Sequence, residues 1–211
     1  MNAYNRIYLE GARAAVGNML DYAVNVLGYP LSRYWECFLA SPVPGNIELG
    51  NPAYLAGKSG PELALDVLKL DSAPEKRSDN NFGGRSIEYW TGWALTYYQW
   101  SINLPFGIIN GFAPIAEISN MYNPYHEMDI RQFCDRMNEI RRERFSGTNL
   151  KYWRINAGIS QSRLSEETGI PLRTIQQYEQ GRKSINRAAA EYVIRLSRAL
   201  ACPPELLLES E

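Results

Sequence analysis

The stretch SQSRLSEETGIPLRTIQQYEQGRKSIN, Ser160 to Asn186, is polar, rich in Gln and Arg, and broken once, at TGIP. Ser160 is a good helix N-cap. Gly169 stands where a helix stop needs a left-handed residue, and Pro171 stands where a new helix can begin without its missing N–H. The pattern therefore predicts helices over 161–168 and 172–179, joined by a tight turn. At about 100° per residue, Leu172, Gln176, Gln180, Arg173 and Gln177 fall within ~140° of one another on the second helix. Ile175 and Tyr178 fall on the other side, with Glu179 at the edge of that apolar face. An exposed stripe of one Arg and three amides carries the side chains that can make paired hydrogen bonds to adenine and guanine edges in a major groove. The GRK that follows places positive charge at the helix end, where phosphates would run.

Working outward, Gly158 ends a helix over 150–157, and two more helices are expected over 188–200 and 204–208. On the 188–200 helix, Ala189, Val193, Leu196 and Leu200 make a core stripe. A second, smaller stripe, Ala190, Ile194, Ser197 and Ala201, suits a partner copy, the front of the chain or internal packing.

Residues 148–208 resemble the Cro/phage-repressor (XRE-type) helix-turn-helix family along its whole length. Counted from Gln161, the pattern wants apolar residues at its fourth, tenth, fifteenth and eighteenth places, here Leu164, Ile170, Ile175 and Tyr178. It wants a small residue at the fifth, where two helices cross, and Gly at the ninth; Ser165 and Gly169 stand there. Thr168 departs from the aliphatic preference and brings a hydroxyl that needs a partner. The resemblance implies roles. Leu172, Arg173, Gln176 and Gln177 would meet bases. Gln161, Thr174, Gln180, Arg182, Lys183 and Arg187 would meet phosphates. Arg154 and Glu179 would form a buried ion pair linking the first and third helices, as scaffold. It also implies a double-stranded DNA partner, an inverted-repeat operator and a homodimer.

Charge divides the chain in the same place. Residues 1–140 carry 10 Lys+Arg against 15 Asp+Glu, whereas residues 141–211 carry 12 against 8. An acidic front and a basic tail suggest units with different partners, the basic one facing phosphates. The break at SGTN, Ser146 to Asn149, sets the expected boundary: an all-helical domain over 1–145 and the helix-turn-helix domain over 146–211. The expected class is all-α, a helical bundle followed by a five-helix repressor-like domain.

The front part is helical by its spacing over 5–27, 31–40, 59–70, 85–102, 114–122 and 129–145. SPVPGNIELGNP, residues 41–52, reads as a loop, as does the polar run 71–84. Residues 85–102 hold Trp90, Trp93, Tyr97, Tyr98 and Trp100, apolar over so much of the circumference that the helix suits the centre of a bundle. A ligand pocket is the other use for such rings.

No catalytic constellation, phosphate loop or metal-ligand spacing is present, so no enzyme, cofactor or metal is expected. His126, the single histidine, lacks a partner at metal spacing. Cys37, Cys134 and Cys202 are far apart and odd in number, which fits a reducing compartment. The most apolar run, LPFGIINGFAPIA, is too short to span a bilayer, and no secretory signal is visible. A cytoplasmic protein with no membrane role is expected. The function that follows is a DNA-binding transcription regulator, a repressor, whose front domain dimerises or answers to a small-molecule effector or partner protein. The alternative is an antitoxin-like protein whose front domain holds a partner and whose tail autoregulates the operon.

Overall fold

The computed structural model describes residues 2–70, 86–144 and 147–209. Those residues form helices and connecting turns, with no strand among them. The chain folds as two compact units, Met1–Arg144 and Phe145–Glu211.

In the first unit, a 3-10 turn capped by Asn5 leads into α1 (Leu9–Asp21), which continues as a π turn over Tyr22–Val26. Then come α2 (Leu31–Ala40), α3 (Val43–Glu48), α4 (Pro52–Leu55) and α5 (Gly60–Leu68). Ser59 and Glu62 close a reciprocal capping box at the start of α5. Beyond residues 71–85, which lie outside the described residues together with the loop expected there, come α6 (Ile87–Ile102), α7 (Phe106–Phe112), α8 (Ile115–Asn120), α9 (Tyr122–Tyr125) and α10 (Ile130–Arg144).

The 41–52 segment corrects the sequence reading: it holds the short helix α3, and α4 begins at its last residue. Its prolines, which suggested a loop, sit in helix first turns. Pro44 lies in the first turn of α3 and Pro52 in that of α4, where no intrahelical N–H is needed. The apolar run LPFGIINGFAPIA contributes α7 to the core, with Phe106, Ile108, Ile109 and Phe112 buried.

The aromatic helix α6 lies at the centre of this unit. Trp90, Leu95, Tyr98 and Trp100 are buried, as are the polar Thr91, Thr96 and Gln99. It packs tightly on α1 through two glycines. A methyl group on Gly92 would stand 2.7 Å from the Val16 carbonyl oxygen, and one on Gly17 would stand 2.8 Å from that of Tyr89. Only glycine lets the two backbones come so close. The ring of Trp35 stacks on Phe38 at 4.5 Å, and Phe106 meets both edge-on. Buried Trp35 and Tyr98 have partners for their polar atoms, whereas the buried Tyr34 hydroxyl has none among the described residues. Trp35 Nε1 donates to Asn110 Oδ1 at 3.1 Å and Tyr98 Oη to Asn138 Oδ1 at 3.0 Å. Trp90, Tyr98 and Trp100 of α6 are thus core, while Trp93 and Tyr97 are half-buried, with the Arg13 guanidinium 3.4 Å from the centre of the Trp93 ring. His126 stacks on the Tyr122 ring at 4.0 Å between centroids, with Nδ1 2.9 Å from the Tyr122 carbonyl.

The second unit contains α11 (Asn149–Asn156), α12 (Gln161–Thr168), α13 (Leu172–Glu179), a 3-10 turn (Ile185–Arg187), α14 (Ala190–Ala199) and a closing 3-10 turn (Pro204–Leu207). Thr148 and Ser160 cap α11 and α12 through the N–H groups of Lys151 and Arg163. Its core joins Leu150, Leu164, Ile170, Ile175, Tyr178, Ile185, Leu196, Leu200 and Leu207. The second stripe expected on the last long helix is split. Ser197 is buried, its hydroxyl donating to the Cys202 carbonyl, whereas Ala190, Ile194 and Ala201 are exposed. Ala189, expected in the core, is exposed, because the chain is still extended there and α14 begins one residue later.

Candidate nucleic-acid interface

The turn between α12 and α13 sets the site. Gly169 takes φ +67° at the end of α12, and Pro171 starts α13 in an extended conformation. Leu164, Ile170, Ile175 and Tyr178 pin the two helices from below. Ser165, at the crossing, donates its hydroxyl to the Ile170 carbonyl at 2.6 Å. The Thr168 hydroxyl finds its partner within the helix, donating to the Leu164 carbonyl at 2.6 Å. The threonine is therefore accommodated with no unpaired buried oxygen.

One carboxylate fastens three helices. Glu179 Oε1 accepts from Arg154 Nε at 2.6 Å, and Oε2 accepts from Arg154 Nη2 at 3.0 Å and from Gln161 Nε2 at 2.7 Å. Arg154 Nη1 also donates to the Ile159 carbonyl at 2.9 Å. The pair is well buried, with 13% of the Arg154 side chain and 2% of the Glu179 side chain exposed. Hydrogen bonding to Glu179 holds the Arg154 guanidinium above its ordinary pKa. Nothing in the residue spacing signals that Gln161 joins this pair. An amide nitrogen carries two hydrogens, so Gln161 keeps one for a second acceptor after its bond to Glu179.

Above this scaffold lies the stripe. Leu172 and Arg173 are exposed at the start of α13, Gln176 and Gln177 are half-buried along it, and Gln180, Arg182, Lys183 and Arg187 are exposed beyond its end. Thr174 is half-buried beside them. Among the described residues, none of these polar side chains has a hydrogen-bonding or ionic partner. Elsewhere in the unit, Arg163 is paired with Glu167 and Arg195 with Glu191, while Arg198 is exposed without a partner among the described residues. The single acid between residues 171 and 190 is Glu179, and it is turned inward. The exposed charge of that stretch is therefore wholly positive, from Arg173, Arg182, Lys183 and Arg187. A short helix with uncommitted Arg and Gln side chains, flanked by cations, has the shape and chemistry of a groove reader with phosphate contacts at its ends.

Residues 150–207 match the family model described as helix-turn-helix. This segment is a Cro/phage-repressor (XRE-type) DNA-binding domain. The N-terminal region has no family match. No curated protein and no solved structure matches the chain. Among the described residues, no helix is long and apolar enough to cross a membrane.

Proposed function

We propose that the protein is a sequence-specific transcription regulator, a repressor, that binds an inverted-repeat operator as a homodimer and reads the major groove with α13. The observation that carries this reading is the uncommitted stripe of Arg173, Gln176 and Gln177 beside exposed Leu172, raised on the scaffold of Arg154, Glu179 and Gln161. Arg173 suits a guanine edge, the two glutamines suit adenine, and Leu172 suits a thymine methyl group. Gln161, Thr174, Gln180, Arg182, Lys183 and Arg187 supply phosphate contacts that fix register. A helix of this length spans only a few base pairs, so two copies on a symmetric site give the specificity that one lacks.

Selection from a pool of randomised duplexes tests the proposal. The expected product is an inverted repeat with half-site centres about 10 base pairs, one helical turn, apart. Arg173→Ala with Gln177→Ala should abolish the enrichment while leaving the fold intact. Recovery of unrelated sequences with no repeat would refute sequence-specific reading by a dimer.

A further inference from the structure

We infer that the backbone of Leu208 and Glu209 is a strap that positions Arg187 for a phosphate, with Asn149 and Asn186 as positioning residues; this rests on the DNA-binding reading above. The strap passes between two asparagines. Asn149 Nδ2 donates to the Leu208 carbonyl at 2.6 Å. The Glu209 N–H donates to Asn186 Oδ1 at 2.8 Å, and Asn186 Nδ2 donates to the Glu209 carbonyl at 2.6 Å. A side-chain amide has the donor and acceptor of a peptide group, so Asn186 pairs with Glu209 much as neighbouring strands do. The Glu209 carboxylate accepts from the Asn149 N–H at 2.6 Å, at the positive end of α11.

Asn149 is fully buried, so one end of the strap is fixed to the body of the unit. The other end holds the turn Ile185–Arg187. That turn has only three residues and the weak hydrogen bonding of a 3-10 segment. Ile185 anchors it from below at 3% exposure, and Asn186 ties it from the side. Arg187 follows directly. Its side chain has no partner among the described residues, so the backbone of the turn sets where the side chain starts and on which side it leaves the unit. Fixing that backbone before binding leaves less freedom to be lost on binding. The strap also keeps an acid harmless, since Glu209 is directed at α11 and does not neutralise Arg187.

A double-mutant cycle on the full chain tests this, with Asn186→Ala, Arg187→Ala and the pair, titrated against a random-sequence duplex across a salt series. If both residues act through one phosphate contact, each single variant lowers the salt slope by about one and weakens binding about 5–10-fold, and the pair loses little more than either alone. A purely structural Asn186 would lower the melting temperature, leave the slope unchanged and leave the Arg187→Ala loss undiminished; that pattern would overturn the inference. Where Asn186→Ala does not fold, Asn186→Ser is read in the same way, because it removes the paired amide contact with Glu209 without adding charge. Absence of salt-dependent binding by the unmodified chain would instead mark failure of the DNA-binding reading itself.

Discussion

At the scale of single residues, Glu179 concentrates the most consequence in one carboxylate. Periodicity places it at the edge of the apolar face of α13, and its charge lies inside, held by Arg154 and Gln161. Glu179→Ala leaves the largely buried Arg154 guanidinium without its counter-charge, and should lower the stability of the second unit by about 3–5 kcal/mol in chemical denaturation. Replacing both members with apolar residues of similar size should cost much less, because no orphan charge remains. Gln161→Ala should have a small effect on stability and a clear one on DNA affinity, since its amide is fixed by Glu179 and keeps one N–H for a second acceptor. Which face of α13 each Arg and Gln side chain occupies was legible from periodicity, which tells inside from outside. The bond from Gln161 to Glu179 was not, because periodicity says nothing of where an amide turns.

At the scale of elements, helix contacts and helix ends decide stability. The α1–α6 crossing depends on Gly17 and Gly92. Gly92→Ala should cost about 1–3 kcal/mol or more by overpacking against the Val16 carbonyl, seen as a lower melting temperature of the first unit. Glu48 links the end of α3 to the start of α7, its Oε1 accepting from the Phe106 N–H at 2.7 Å. Burial raises its carboxyl from 4.5 to about 7, the Phe106 hydrogen bond working in the opposite direction. Between those values the folded state binds more protons than the unfolded one, so the stability of this unit should fall as pH rises through that window. Glu48→Gln should flatten the slope in a pH series of thermal melts; an unchanged slope would contradict the assignment. Strong single signals made the long helices readable: the caps at Ser59 and Ser160, the stops at Gly158 and Gly169, the aromatic run of α6. The helices α3, α4 and α7 were not legible. They are short and dense in Pro and Gly, and their stability comes from buried faces such as Phe106, Ile109 and Phe112 and not from local propensity.

At the scale of the whole molecule, an acidic first unit and a basic second unit are joined in one chain. The second unit carries its positive charge on the side of α13, uncommitted, while its other arginines are largely paired. Electrostatic attraction to phosphates should therefore come from the second unit and fall steeply with salt. The fold of the second unit was legible because a tight spacing of apolar, small and Gly positions leaves few alternatives. The tertiary arrangement of the first unit was not, because an aromatic helix announces burial without naming its neighbours. The most direct measurement is the fluorescence anisotropy of a labelled duplex carrying the selected site, titrated with the full chain at low and moderate salt. The expected result is saturable binding that weakens with salt and is lost with Arg173→Ala plus Gln177→Ala at unchanged melting temperature. No binding by the unmodified chain at low salt, or equal binding by the double variant, would contradict the assignment of α13 as the reading helix.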